Sequence, residues 1–389
     1  MNTVRVNKRG ATRIRQGHLW IYRSDVLDVD ADGGSIVLVK DEGGNYVGRA
    51  FYSDSSQIAL RFLTLANEDI DRDWWRTKIR GCSERRRIPN DTNAYRLIYS
   101  EGDLLPSLIV DKYRDVYVLQ TLSQGSDGIK SLIVEVLAEE FKPQAIIERN
   151  DARVRQLEGL PLITGSLYGD SPEEIEITQH GLRFIVTPSG GQKTGSFLDQ
   201  RENRIAAKLA VINTPGKRAL DCFTFNGAFA LHLGGVCEQV VGLDISADAV
   251  AAAKRNAELN QMQNVEFREA NVFDALREMG TNGERFDAIV LDPPAFAKNR
   301  NSLKSAIRGY KEINLRALKL LNPGGVLVTC TCSYHVSEEL FWDILGAATL
   351  DSKRRVQIIE KRMQSSDHPV LIGMPETYYL KCIIARVIE

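Results

Sequence analysis

The sequence predicts an α/β protein whose C-terminal half is a doubly wound, Rossmann-like domain, preceded by a small β-barrel and a compact α+β domain. Three observations carry this. Beyond about Gly181 strand-like and helix-like segments alternate; before about Leu65 the runs are short and β-like; and the stretch between mixes strands with an amphipathic helix. The boundaries expected are 1–70, 71–178 and 179–389.

Length and composition allow this. The 389 residues suit two or three domains, and 43% hydrophobic with 26% charged residues is ordinary for a globular chain with a sizeable core. Residues 1–10 carry Arg5, Lys8 and Arg9 and no apolar stretch of signal-peptide length, and no later run approaches a membrane span, so a cytoplasmic protein without a membrane partner is expected. The six cysteines are scattered, with no CxxC pair and no histidine at zinc-ligand spacing, which argues against a disulfide framework and a metal site. The net charge of -1 does not mark a nucleic-acid binder, although a local basic face can still hold phosphates.

In the first domain Gly34–Val39 and Tyr46–Tyr52 read as strands joined by the turn at Asp41–Asn45. Arg13, Arg15, His18, Trp20, Tyr22 and Arg23 interleave basic and aromatic side chains. That pattern suits phosphate contacts and base stacking, yet the alternation of Trp20 and Tyr22 with Leu19 and Ile21 equally describes a half-buried strand, and composition favours the latter. In the second domain a helix from about Asp71 to Arg87 ends in three adjacent arginines, read as a solvated helix end, before Pro89. Strands at 107–110, 115–119 and 145–148 and a helix near 129–141 follow, and 151–172 reads as a turn-rich connection.

In the third domain the strand Arg218–Phe223, a turn at Thr224–Ala228 and a short helix lead to a second strand, Val240–Asp244, ending in a carboxylate. A glycine in the turn (Gly227), a helix N-terminus with unsatisfied N–H groups and an acid able to accept both ribose hydroxyls together describe a nucleoside site. No G-x-G-x-x-G is present, and a pyrophosphate wants several glycines, so S-adenosylmethionine fits better than a dinucleotide. After the third strand at 265–269, the segment Ala270–Asp274 offers a polar side chain that could bond the adenine amino group. The fourth strand, Phe286–Asp292, delivers Asp292, Pro293 and Pro294 to the sheet edge, and the apolar run Gly324–Ser333 ends near Cys332. A free cysteine is most often core; at the mouth of such a fold it points to covalent chemistry on a nucleobase.

The chain resembles the RlmI-type ribosomal RNA large-subunit methyltransferases along nearly its whole length. The resemblance rests on His18–Tyr22, Ser100–Asp103 with Pro106–Asp111, the long stretch from 191 to 204, Asp292–Pro294, Gly309–Asn314, Thr331–Ser333, Asp367–Val370 and Tyr379–Lys381. It implies an N-terminal PUA RNA-binding domain, a class I S-adenosylmethionine fold, 23S rRNA as partner, 5-methylcytosine as product and a plausible homodimer. It places the catalytic thiol on Cys332 with Asp292 at the base edge. The implied cofactor set is Phe223, Asn226, Gly227, Asp244, Ile245, Asn271, Val272 and Asp292, with Lys193 and Gln200 by position in the family, and it raises Arg13, Arg15 and Trp20 as RNA contacts. Where the family usually has Asp after the third strand this chain has Asn271, and Asn226-Gly227-Ala228 replaces Thr-Gly-Gly. Cys330, on the same side of an extended strand, leaves open which thiol reacts. Two other readings remain: methylation of an exocyclic amine or purine nitrogen without a covalent step, and a non-catalytic rRNA-binding assembly factor. His368 beside Pro369 reads as structural.

Overall fold

The structure is a computed structural model and describes residues 2–190, 195–214, 217–297 and 300–389. Lys193 lies outside the described residues. The chain divides into two units, one made of Met1–Ile177, Val186–Leu198 and Ser366–Thr377, the other of Thr178–Ile185, Asp199–Ser365 and Tyr378–Glu389.

The first unit begins with β1 (Thr3–Val6), α1 (Lys8–Arg15), β2 (Trp20–Tyr22), β3 (Val26–Asp30), β4 (Ile36–Asp41), β5 (Tyr46–Tyr52) and β6 (Ile58–Thr64), in the sheet order β2-β6-β5-β4-β1-β3. Alternation sends Val37 and Val39 into the core with Val4, Val6, Ile14, Ile21, Leu60 and Phe62. Helix α1 is absent from the sequence expectation. Asn7 caps it by accepting from Gly10 N at 2.8 Å, and Gly10 sits close against β2 and Asp25, where a Cβ would meet Asp25 Cβ at 3.1 Å.

The same unit continues with α2 (Arg72–Arg85), β7 (Ala94–Tyr99), β8 (Leu108–Tyr113), β9 (Val116–Thr121), α3 (Gln124–Gly128), α4 (Lys130–Phe141), β10 (Ala145–Asn150) and β11 (Ile163–Gly169), with the sheet order β11-β10-β9-β8-β7. Two expectations are corrected here. The arginines closing α2 are not all solvated: the Arg86 side chain is covered, pairs with Asp103 and donates to Arg96 O at 2.8 Å. The turn-rich connection at 151–172 contains β11, an edge strand whose exposed faces leave no hydrophobic alternation to read. His368 is buried against the Tyr99 ring and bonded to Asp367 at 3.0 Å.

A hairpin of β12 (Ile175–Gln179) and β13 (Leu182–Val186) precedes the second unit's main elements. These are α5 (Arg201–Val211), β14 (Arg218–Cys222), α6 (Ala228–Gly234), β15 (Gln239–Asp244), α7 (Ala247–Leu259), β16 (Val265–Glu269), α8 (Val272–Thr281), β17 (Phe286–Leu291), α9 (Leu303–Leu320), β18 (Leu321–Thr331), α10 (Glu338–Ser352), β19 (Val356–Arg362) and β20 (Lys381–Val387). The sheet order is β16-β15-β14-β17-β18-β20-β19, parallel from β16 to β18, with β20 antiparallel to both of its neighbours. Strand β17 is buried at every residue, which explains a sequence apolar but for Asp287, whose carboxylate accepts from Arg218 N at 3.0 Å and from Asn322 Nδ2 at 2.8 Å. The winding reverses between β14 and β17, so the loops after these strands open a crevice at the carboxyl edge.

Candidate active site

At that switch point the β14–α6 loop is held in an unusual backbone path. Phe223 (φ 64), Phe225 (φ 50) and Gly227 (φ 84) are left-handed, a conformation that costs a non-glycine residue on the order of 1–3 kcal/mol and persists only where surroundings enforce it. The enforcing contacts are visible. Thr224 N donates to Leu243 O and Gly227 N to Thr224 O, each at 2.9 Å, while Asp221 Oδ2 accepts from Thr224 Oγ1 at 2.6 Å and from Ala230 N at 2.9 Å. Burial pushes the Asp221 carboxyl up to about 7, against these two hydrogen bonds. Gly227 also has a packing reason: a Cβ there would strike Phe267 Cζ at 2.7 Å and Ala253 Cβ at 3.1 Å, so the glycine lets the loop pack on β16 and α7.

Asp244, half-buried at the end of β15, accepts from Phe225 N at 2.9 Å and from Ser246 N at 3.0 Å. These bonds bind the first loop to the acidic strand end and fix the carboxylate. Beside it Ile245 stands 69% exposed, an apolar surface of the kind an adenine face covers. Asn226 is buried, its carbonyl accepting from Asn256 Nδ2 at 2.9 Å. Asn271 is exposed, and its amide oxygen accepts from Phe273 N at 2.9 Å, so it serves as the N-cap of α8 before any ligand arrives. Val272 packs into the core. These residues fit S-adenosylmethionine: a fixed carboxylate for hydroxyls, an exposed apolar side chain for a ring, and no phosphate-binding glycine run.

Further along the edge, Asp292 Oδ1 accepts from Gln200 Nε2 at 2.8 Å. Gln200 Oε1 accepts from Asn203 Nδ2 at 2.7 Å, and Asn203 Oδ1 accepts from Arg362 Nε at 2.8 Å. The relay starts at a guanidinium, which only donates, and therefore sets the orientation of both amides. Buried Arg204 lies in the field of Asp199, Asp292 and Asp221; burial lowers its pKa to about 10 and the three carboxylates oppose that.

Cys332 is the first residue beyond β18, half-buried, with Sγ 4.0 Å from Pro293 O. The other five cysteines are buried. Cys330 faces Cys382 across the β18–β20 ladder, and that contact, with burial, holds its pKa well above the usual thiol range. Both neighbours of Cys332 are tied to one phenol. Thr331 Oγ1 donates to Tyr310 Oη at 2.8 Å, and Ser333 Oγ lies 2.9 Å from the same oxygen. Asp221, Asn203 and Tyr310 went unread as site residues in the sequence; the acid three residues before the Thr224 turn was the available signal for Asp221.

In the first unit Arg13 lies over the Tyr22 ring at 4.7 Å and 3.6 Å from Asp25, Arg15 pairs with Asp41 at 3.1 Å, and Trp20 donates its indole N–H to Glu101 at 2.9 Å. Both arginines sit on α1, whereas Trp20 lies in β2 with Ile21 as the buried residue. Among the described residues no cluster of His, Cys, Asp and Glu is placed to hold a metal ion, and no helix is long and apolar enough to cross a membrane.

Comparison with known proteins agrees with this geometry. Residues 4–65 match the PUA-like domain family and residues 213–368 the Methyltransferase domain family. A solved structure assigned as a methyltransferase, complexed with SAH, superposes with a TM-score of 0.85 at 21% identity over all of both chains; one from Streptococcus mutans, assigned as SAM-dependent, gives 0.83 at 20%, again over all of both chains. At such identity they show the fold. Fold and site define an S-adenosylmethionine-dependent methyltransferase that carries a PUA-like domain. Ribosomal RNA large subunit methyltransferase I of Aliivibrio fischeri is 40% identical, covering 96% of this chain and 96% of its own length, and that of Serratia proteamaculans is 40% identical, covering 95% of each. The chain belongs to the ribosomal RNA large subunit methyltransferase I family.

Proposed function

We propose that the protein methylates C5 of a cytosine in 23S rRNA through a covalent adduct on Cys332, with Asp292 at the base's N3–N4 edge. The observation that carries this is the contrast between two thiols. Cys332 stands at the carboxyl edge beside Pro293, while Cys330 is closed in against Cys382.

C5 of cytosine is a poor nucleophile until C6 is saturated. The Cys332 thiolate bonds to C6, and the C5–C6 π pair becomes available at C5. S-adenosylmethionine, when bound, supplies an electrophilic methyl on a sulfonium sulfur. The C5 pair forms the new C–C bond as the sulfonium sulfur keeps the old pair. Loss of the C5 proton to water returns that C–H pair to the ring and expels Sγ with the C6–S pair. Asp292, aimed by Gln200, holds the Watson–Crick edge, and the hydroxyls anchored on Tyr310 hold the thiol's backbone. A stacked base cannot present C6, so the target is flipped out or already unpaired.

Phe223, Asn226, Gly227, Asp244, Ile245, Asn271, Val272 and Gln200, with Lys193 outside the described residues, form the proposed cofactor set. Arg13, Arg15 and Trp20 are the proposed RNA contacts, 1–70, 71–178 and 179–389 the proposed domains, and a homodimer in the cytoplasm belongs to the same reading. The test is methyl transfer from labelled S-adenosylmethionine to unmodified 23S rRNA with nucleoside analysis. Expected are 5-methylcytosine from wild type and Cys330→Ala and none from Cys332→Ala; a methylated amine or purine made equally well by Cys332→Ala overturns the reading.

A further inference from the structure

The carboxyl edge continues past Cys332. Strand β20 runs against β18, so its first residue, Lys381, pairs with Thr331 at the same end of the sheet, and Arg362 at the end of β19 pairs with Cys382. Along one edge the order is Asp244, Asp292, Cys332, Lys381 and then Arg362. The proposed cofactor residues occupy one side of the thiol, and the antiparallel pair occupies the other.

On that second side lies a cleft of about 220 Å³ lined by Glu338, Lys361, Arg362, Met363, Tyr378 and Lys381. Its charges are unevenly matched. Glu338 is taken by Lys361 at 2.5 Å and by the Tyr378 hydroxyl at 3.3 Å; Arg362 is taken by Glu360 and Asn203. Lys381 is 5% exposed and forms no ion pair among the described residues. Its ammonium has three protons to donate, yet it reaches Tyr379 O only at 3.4 Å and lies 5.2 Å from the centre of the Tyr378 ring. Burial lowers its pKa, opposed by the charges of Cys332 and Glu338. A buried cation short of acceptors, lining a cleft with a tyrosine ring and a 41% exposed methionine on its walls, is matched to an anion that carries a flat apolar neighbour.

We propose that this cleft binds the nucleotide adjoining the target on the RNA strand, its phosphate on Lys381 and its base against Met363 and Tyr378. The inference rests on the RNA methyltransferase reading and deepens it. Held there, the strand cannot slide along the edge, and the neighbouring base is presented to Cys332.

The experiment measures binding of unmodified 23S rRNA by the full chain across a series of KCl concentrations, for wild type, Lys381→Met and Lys381→Arg. Affinity for S-adenosylmethionine and the pH dependence of Cys332 alkylation are measured on each. Loss of one phosphate contact should lower the slope of log affinity against log salt by about 0.7–0.9. Lys381→Met should show that loss, with a raised KM for RNA, unchanged S-adenosylmethionine affinity and, because the charges of Lys381 and Cys332 act on each other, a raised alkylation midpoint; Lys381→Arg should restore the slope. An unchanged slope with a shifted alkylation midpoint would assign Lys381 to the thiol and overturn the proposal. Should Lys381→Met lose S-adenosylmethionine binding through misfolding, Met363→Glu on the rim decides: weakened RNA binding supports the cleft and unaltered binding overturns it. A wild type that transfers no methyl to RNA overturns the underlying reading, whereas active transfer with an unchanged slope overturns only the cleft.

Discussion

Gln200 Nε2 donates to Asp292 Oδ1 at 2.8 Å, joining residues 92 positions apart, and Gln200 is itself oriented by Asn203. A side chain that aims another is best tested by removing its polarity. Gln200→Leu should leave Asn203 and Asp292 each short of a partner, at about 1–3 kcal/mol of stability. If the same loss falls on the transition state, kcat drops roughly tenfold per 1.4 kcal/mol. Thermal unfolding and single-turnover methyl transfer together read this, and an unchanged kcat would remove Gln200 from any positioning role.

Tyr310 anchors both neighbours of Cys332 through one hydroxyl. Tyr310→Phe keeps the ring and its packing on Phe296 at 4.6 Å and deletes only the anchor. The expected outcome is a fall in kcat with little change in KM for S-adenosylmethionine, since the cofactor residues lie toward β14 and β15. An equal effect on both parameters would indicate a general loosening of the domain.

Gly227 makes a sharper stability test. Gly227→Ala places a Cβ at φ 84 against Phe267 Cζ, 2.7 Å away. Backbone strain and overpacking should together cost on the order of 2–4 kcal/mol. Denaturant unfolding checks this, and a wild-type midpoint would contradict the geometry.

Two buried groups in the second unit pull stability in opposite directions with pH. The folded pKa of Asp221 is raised by burial to about 7, so the fold binds its proton more tightly than the unfolded chain; this contribution is full below the unfolded carboxyl value near 4 and is lost as pH rises toward 7. The folded pKa of His232 is lowered by burial to about 3, so its contribution is full above the unfolded value near 6.5 and is lost as pH falls toward 3. Each has a limiting slope of about 1.4 kcal/mol per pH unit, and between pH 4 and 6.5 they oppose each other. Asp221→Asn should therefore make stability rise with pH more steeply over that window than in wild type. His232→Gln should reverse the trend. Denaturant midpoints from pH 4 to 7 measure both.

The central strands of the second unit were legible because burial on both faces makes them largely apolar: Phe286–Leu291, apolar but for Asp287, matches the strand expected at 286–292. Asp292 and Cys332 were legible for the same reason, each following such a run. Helix α1 was not, since eight residues with one glycine and four basic side chains carry little periodic signal. Strand β11 was missed because it is an exposed edge. Links such as Gln200 to Asp292, or Arg86 to Asp103, depend on chain segments that meet only after folding, and no local pattern marks them. The glycine of the turn was legible from its position, but its packing against the Phe267 ring was not.

The place of β20 also bears on how the chain is made. Strand β18, with Cys330, and Cys332 just beyond it leave the ribosome some fifty residues before β20, which must then enter between β18 and β19. Until it does, β18 presents a bare edge and Cys330 lies open beside it, the condition in which strands pair with the wrong neighbour and thiols meet oxidants. Cys330 therefore gains its cover only when this late strand is in place, which leaves half-buried Cys332 as the more accessible of the two sulfur atoms.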